Sequence, residues 1–118
     1  PIYPIQIDTV LMNRVISNLI ENAIKYAGKG KTVWVKTWDD AEWVSVEIKD
    51  NGVGIGNEDL AHIFDKFYRV KNDSTHAIKG SGLGLFLVKY FIELHNGTIN
   101  ATSKLGEGTT FTIKLRNE

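Results

Sequence analysis

The sequence has no cysteine, two prolines and one methionine. Without thiols there is no disulfide scaffold, no thiolate zinc site and no cysteine nucleophile. A reducing compartment fits that composition. The chain also lacks an excess of either charge, since 14 Lys+Arg balance 14 Asp+Glu. A nucleic-acid module held by phosphate neutralisation needs a basic surplus, and so does a polybasic membrane binder. No apolar run approaches the ~18–20 residues of a membrane span, and no signal-peptide pattern opens the sequence. The first residues, PIYPIQID, read as mid-protein sequence, so an excised domain is expected.

What is there is ordinary for one globular domain. The chain has 118 residues, 42% hydrophobic and 24% charged, which matches a common domain size and composition. A domain of this length buries roughly two-thirds of the surface its unfolded chain exposes. It therefore needs no staple to fold. No internal repeat, low-complexity stretch or dividing linker interrupts it.

Hydrophobic periodicity places the elements. Asp8 is a candidate N-cap, and Leu11, Val15, Leu19, Ala23 and Ile24 then recur at spacings of three and four, with Val10, Ile16 and Ile20 widening the stripe. That pattern predicts an amphipathic helix over 9–27, stopped by Gly28 and Gly30. Two alternating runs follow, 32–38 and 42–50, and predict an antiparallel hairpin with a four-residue connection. Pairing Trp38 with Trp43 sets Lys36 opposite Ser45 and Trp34 opposite Glu47. Val33, Val35, Val44, Val46 and Ile48 then form an aliphatic face toward helices, and the other face is polar with three tryptophans. Those tryptophans read either as a docking patch for another domain or as a cross-strand aromatic cluster. A short helix at 58–63, an aperiodic polar stretch at 71–80, a helix running to His95 and two strands at 98–103 and 109–115 complete the chain. The expected architecture is an α/β two-layer sandwich, a mixed sheet with helices on one face.

Three short segments carry candidate chemistry, and each has a plain structural alternative. GSGLGL (80–85) does not fit the dinucleotide pattern, which needs a preceding strand, and no GxxxxGK[ST] loop is present. Even so, Gly80, Gly82 and Gly84 let backbone N–H groups approach an anion at a helix N-terminus; the alternative is a tight turn before a helix. DNGVGIG (50–56) places Asp50 at a strand end, where a fixed carboxylate can accept from an exocyclic amine. The alternative is a turn in which Asp50 and Asn51 bond their own backbone. Asn18, Asn22 and Lys25 share one face of the first helix at i, i+4 and i+7. They are either satisfied or solvated polar groups, or an amide oxygen suited to Mg²⁺ beside a phosphate-binding Lys.

Taken together, these segments resemble the catalytic ATP-binding domain of sensor histidine kinases, which shares its nucleotide-binding (Bergerat-type) fold with gyrase, mismatch-repair ATPases and the 90-kDa heat-shock chaperones. NLIENAIKYA (18–27) resembles the N box, DNGVGIG the first glycine box, FDKFYRV (64–70) the F box, GSGLGLFLVKYFIELHNG (80–97) the second glycine box with its helix, and GEGTTFTIKL (106–115) the closing strands. The resemblance spans about residues 6–115. It implies roles position by position. Asn22 resembles the Asn that holds Mg²⁺, Asn18 the earlier N-box Asn, Lys25 the phosphate-contacting Lys and Tyr26 the aromatic packed on adenine. Asp50 resembles the acceptor of the adenine amine, Gly54 the glycine that lets adenine lie close, and Thr109 the Thr that supports recognition through water. Arg69 resembles the Arg that reaches the γ-phosphate. Phe64, Phe67 and Tyr68 resemble the aromatic hinge of a lid over 70–80, which closes on Gly80, Gly82, Leu83 and Gly84. Gly52 and Ile55 of the first box, with Ser81 and Leu85 of the second, complete the implied nucleotide-binding set.

The implied activity is transfer of the γ-phosphoryl group of Mg·ATP to a histidine on a separate dimerisation domain, in a two-component pathway that ends on a response-regulator receiver domain. The resemblance implies a cytoplasmic domain of a parent that can be membrane-anchored, with no nucleic-acid partner and no membrane insertion of its own. Hydrolysing relatives place a Glu one turn before the Mg²⁺ Asn, where it activates water. Here that position is Asn18, an amide that takes no proton, and Glu21 lies about 100° away around the helix. Phosphoryl transfer is therefore expected rather than hydrolysis. His62, His76 and His95 read as structural, and no acceptor-histidine motif is present. Two other readings stay open: a nucleotide-binding regulatory module without transfer, and a serine kinase of the anti-sigma type.

Overall fold

The structure, a computed structural model, describes residues 9–28, 30–68 and 84–116, with the side chains of Thr9, Leu11, Lys25 and Tyr26 outside that description. The Asp8 cap, Arg69, the expected lid, His76 and residues 80–83 also lie outside it.

The element order is α1 (Thr9–Ala27), β1 (Val33–Asp39), β2 (Trp43–Asp50), α2 (Asn57–Leu60), α3 (Gly84–Leu94), β3 (Thr98–Lys104) and β4 (Gly108–Arg116). The strands form one sheet in the order β1-β2-β4-β3. Every pairing is antiparallel, where the sequence led to a mixed sheet. The helical crossover after β2 does bring β3 back in the same direction as β2. However, β4 inserts between them, so no parallel pair forms among the described strands. The two-layer α/β arrangement itself is as expected.

α1 packs on α3 and β2, and α3 packs on β3. Burial on α1 follows Met12, Val15, Leu19 and Ala23, a stripe of one residue per turn. Val10 and Ile24, expected in that stripe, are exposed instead. Each sits off its axis, Ile24 by one residue and about 100° from Ala23. The stripe meets Val88 and Ile92 of α3 and Ile48, Ile99, Phe111, Ile113 and Leu115 of the sheet. Helix α3 closes through a left-handed Asn96 (φ 58), with the Gly97 N–H donating to the Ile92 carbonyl at 3.0 Å. His95 Nδ1 lies 2.7 Å from the Phe91 carbonyl oxygen, where the end of the helix favours a donor.

The hairpin is corrected in register. Trp38 faces Ser45, Lys36 faces Glu47 and Trp34 faces Lys49, two residues from the expected pairing. The cause is local. The Asp40 carboxylate accepts the Glu42 and Trp43 N–H groups, both at 2.8 Å, and the Asp40 N–H donates to the Trp43 carbonyl at 2.9 Å. This draws the ladder one pair further and leaves a two-residue turn. A shift of two keeps every side chain on its face, so the division into an aliphatic and a tryptophan-bearing face survives. The aliphatic face is covered only in part, because Val35 on edge strand β1 remains exposed.

Candidate functional site

The end of β2, the loop 51–56, the last turn of α1 and the β3–β4 turn converge at one end of the sheet. Glycine makes this approach possible. At Gly54 (φ +75) an added Cβ would stand 2.2 Å from the Lys104 carbonyl oxygen, and at Gly108 (φ +115) it would stand 2.0 Å from that of Asp50. Both positions also need a left-handed backbone. Gly52 lies against Ala27, where a Cβ would meet the α1 backbone at 2.2 Å. The N-box end of α1 is therefore held directly against the Asp50 loop.

Asp50 is buried, at 6% exposure. Its Oδ1 accepts the Gly52 N–H at 2.9 Å and the Thr109 N–H at 3.3 Å. The first bond is the Asx turn given above as the structural alternative. The second reaches across to β4. Among the described residues, nothing bonds Oδ2. A buried carboxylate with one oxygen committed and one open can take a donor from a ligand.

Thr109 is buried beside it, and its hydroxyl lies 2.8 Å from Ser103 Oγ. Ser103 was not singled out in the sequence, yet it ties the site together. Its Oγ accepts the Ile55 N–H at 2.7 Å and donates to the Gly108 carbonyl at 2.9 Å. With its one proton so used, it must accept from Thr109, which leaves the Thr109 oxygen free as an acceptor. A lone Ser in an alternating strand gives no sequence signal for this. Asn51 likewise extends the ladder: its Oδ1 accepts the Thr32 N–H at 2.7 Å.

Among the described residues, no hydrogen bond joins the expected N-box residues to Asp50. Asn18 and Asn22 are half-buried on α1, one turn apart on a common face. Lys25 and Tyr26 follow them in the helix, and their side chains are not described. Glu21 is exposed, in keeping with a solvated charge. An amide oxygen such as that of Asn22 is a hard donor that fits Mg²⁺, an ion that takes few protein ligands and completes its shell with water and phosphate. Among the described residues no group of three or more His, Cys, Asp or Glu could cage a metal alone.

The F-box residues separate. Phe64 packs edge-to-face on Phe111 at 6.2 Å, and the Tyr68 hydroxyl donates to Asp59, which raises the Tyr68 pKa above the usual phenol range. His62 Nδ1 lies 2.8 Å from Asp65 Oδ2, and its ring stands 5.4 Å from that of Tyr68. Phe67 is 64% exposed with φ +66, a conformation a bulky residue adopts only when its surroundings hold it. Gly84 opens α3 with nothing within 4 Å of an added Cβ, and Leu85 packs against the core. Nothing described joins Phe67, Gly84 or Leu85 to Asp50.

Comparisons with known proteins fit this arrangement. Residues 7–118 match the family described as histidine kinase-, DNA gyrase B- and HSP90-like ATPases. Sensor protein RprX of Bacteroides fragilis (strain YCH46) is 44% identical over 110 residues, 92% of this chain and 21% of that protein. Sensor protein SrrB of Staphylococcus aureus (strain NCTC 8325 / PS 47) is 43% identical over 104 residues, 88% of this chain and 18% of that protein. The chain thus spans about a fifth of the length of these relatives. Among solved structures, a mycobacterial sensor histidine kinase, MprB, superposes with a TM-score of 0.84 at 26% identity over 97% of this chain and 77% of that one. The catalytic domain of histidine kinase ThkA superposes with a TM-score of 0.81 at 25% identity over 96% of this chain and 71% of that one. With a family match over nearly all of its length, this chain belongs to the histidine kinase-, DNA gyrase B- and HSP90-like ATPases.

Proposed function

We propose that this chain is the catalytic domain of a sensor histidine kinase, binding Mg·ATP for transfer of its γ-phosphoryl group to a histidine on a dimerisation domain of the same kinase. The observation that carries the reading is the buried Asp50 carboxylate, anchored through one oxygen and open at the other. A fixed acceptor of this kind suits the adenine amine, and the free Thr109 oxygen beside it suits a bridging water.

The remaining roles follow from chemistry. Asn22 would hold the metal, whose charge would offset that of the phosphates. Asn18 would support Asn22 from one turn away. Lys25, Arg69 and the N–H groups of residues 80–84, with Ser81 and Leu83 among them, would surround the phosphates. Tyr26, Gly52, Gly54, Ile55, Phe67, Tyr68 and Leu85 would border the nucleotide. Such transfer demands positioning and charge neutralisation more than covalent participation by the protein. Asn18 cannot accept a proton, so the chain activates no water there. We place the domain on the cytoplasmic side of a membrane-anchored parent, with a response-regulator receiver domain downstream; the sensor-protein names of the relatives support this. Among the described residues no helix is long and apolar enough to cross a membrane.

Calorimetric titration with ATP, with and without Mg²⁺ and with GTP as control, tests the pocket. Binding that prefers ATP is expected. Incubation with radiolabelled ATP and a histidine-bearing dimerisation domain then tests transfer. An acid-labile phosphohistidine is expected, whereas labelled serine or no label would turn the reading to a serine kinase or a regulatory module.

A further inference from the structure

The sheet face turned away from the helices is unlike the rest of this neutral chain. The pairing register places Trp34, Lys36 and Trp38 of β1 on it, beside Trp43 and Lys49 of β2. Lys114 and Arg116 of β4 join them opposite Ser45 and Trp43. Each tryptophan ring carries a cation. Lys49 Nζ lies 6.0 Å from the Trp34 centroid, Lys36 Nζ 5.4 Å from that of Trp38, and the Arg116 guanidinium 5.0 Å from that of Trp43. The rings therefore form cation–π pairs, and the expected cross-strand aromatic cluster is not what orders them. Ser45 is only 1% exposed although no described helix covers this face; Trp38 and Lys114 flank it across the ladders, and Trp43 and Glu47 along its own strand. Trp34 and Trp38 remain 48% and 38% exposed. A shallow open trough of ≈ 300 Å³ runs along Trp34, Val35, Lys36, Glu47 and Lys49.

The charge on this face is net positive. Among the described residues, Lys36, Lys49, Lys114 and Arg116 outnumber the acids beside them, which are Glu47 opposite Lys36 and, at the hairpin tip, Asp40, whose charge Lys114 partly offsets. Lys104 at the far edge is paired with Glu107 at 3.5 Å. A formally neutral chain that gathers cations and all three of its tryptophans on one flat face is complementary to an anionic partner. Four strands and seven residues span about 20 by 23 Å, or roughly 450 Å². That is about half of what a stable interface buries per partner, so the contact is a transient one.

We propose that this open sheet face docks an acidic polypeptide segment. Its carboxylates meet Lys36, Lys49, Lys114 and Arg116, and an apolar side chain seats in the trough beside Trp34. A second copy of the chain would oppose like charges. Nucleic acid held by phosphate neutralisation would need a larger basic surplus than this formally neutral chain offers. A bilayer would need apolar side chains to insert, whereas this face interleaves its rings with Lys and Thr. The inference does not depend on nucleotide binding.

All three tryptophans report on this face alone, so intrinsic emission reads it directly. The 118-residue chain is titrated with a peptide of three Asp-Glu-Leu repeats, with the matching Asn-Gln-Leu peptide, with single-stranded oligothymidylate and with phosphatidylglycerol vesicles. A saturable emission change with the acidic peptide is expected, about tenfold weaker for the amide peptide and for Lys36→Glu/Arg116→Glu, and weakened by salt. Circular dichroism of the variant should match the parent, and Lys36→Gln should fall between them. No saturation with the acidic peptide, equal binding of the amide peptide, an unaffected variant, or tighter binding of oligothymidylate or vesicles would each overturn the proposal.

Discussion

At the scale of single residues, the site rests on polar groups with few alternatives. Asp50 spends Oδ1 on its own turn and on β4, so its second oxygen is the only part left for a ligand. Asp50→Asn keeps the shape but removes the charge and can present an N–H₂ where an acceptor is needed. ATP affinity should fall by about 1–3 kcal/mol, the scale of a lost charged hydrogen bond, in calorimetric titration. Unchanged affinity would refute the adenine role. Ser103 joins Ile55, Gly108 and Thr109 through one hydroxyl. Ser103→Ala leaves the Ile55 N–H and the Gly108 carbonyl without that partner, so urea denaturation should show a loss of roughly 1–3 kcal/mol. Asp50 and Thr109 could be singled out in the sequence because their motifs are distinctive. Ser103 could not, because its role comes from partners 48 and 5 residues away.

At the scale of elements, the β1–β2 hairpin takes its register from its tip. The Trp43 and Glu42 N–H groups hold the Asp40 carboxylate below its usual pKa, with a smaller contribution from Lys114. A carboxylate with a depressed pKa in the fold stabilises it above the unfolded-state value, and that contribution is lost as pH falls through the folded-state value. The hairpin should therefore loosen below about pH 4. Thermal melts from pH 7 to 3 should show a steeper acid loss for the parent than for Asp40→Ala, which lacks the group at every pH. Parallel curves would remove Asp40 from the account. Alternation alone could not fix this register. Pairings two residues apart put the same side chains on the same faces, and only the turn's hydrogen bonds separate them. Helix α1 was legible to the residue, because its apolar stripe, its length and its glycine stop agree. The fate of Val10 and Ile24 at the stripe's margins was not, and the Leu11 side chain lies outside the described residues.

At the scale of the whole molecule, a ligand that bridges α1, the 51–56 loop and β4 should lock these elements together. Ligand at a hundredfold excess over its dissociation constant adds about 2.7 kcal/mol to the folded state, or roughly 10 °C in Tm for a domain of this size. Mg·ATP should give such a shift in scanning calorimetry and GTP should not. A parent chain without the shift would not bind nucleotide in this pocket. Tryptophan emission should stay constant during the same titration, since all three rings lie across the sheet from the helices.

Local chemistry along the chain was enough to determine the long α1 helix, the glycine-rich turns, an Asp at a strand end and two amides on one helical face. Each of these depends on neighbours within about four positions. The tertiary structure alone decided what those pieces meet. β4 inserts between β2 and β3 and brings the Thr109 N–H to Asp50 across 59 positions. Gly54 and Gly108 let two backbones touch where a Cβ would block them. The open face gathers cations from β1, β2 and β4 over the tryptophans, a pattern that becomes visible only once the strands are laid side by side. Periodicity is set by one element's own geometry, whereas strand order and register are set by the packing and hydrogen bonding of all of them together.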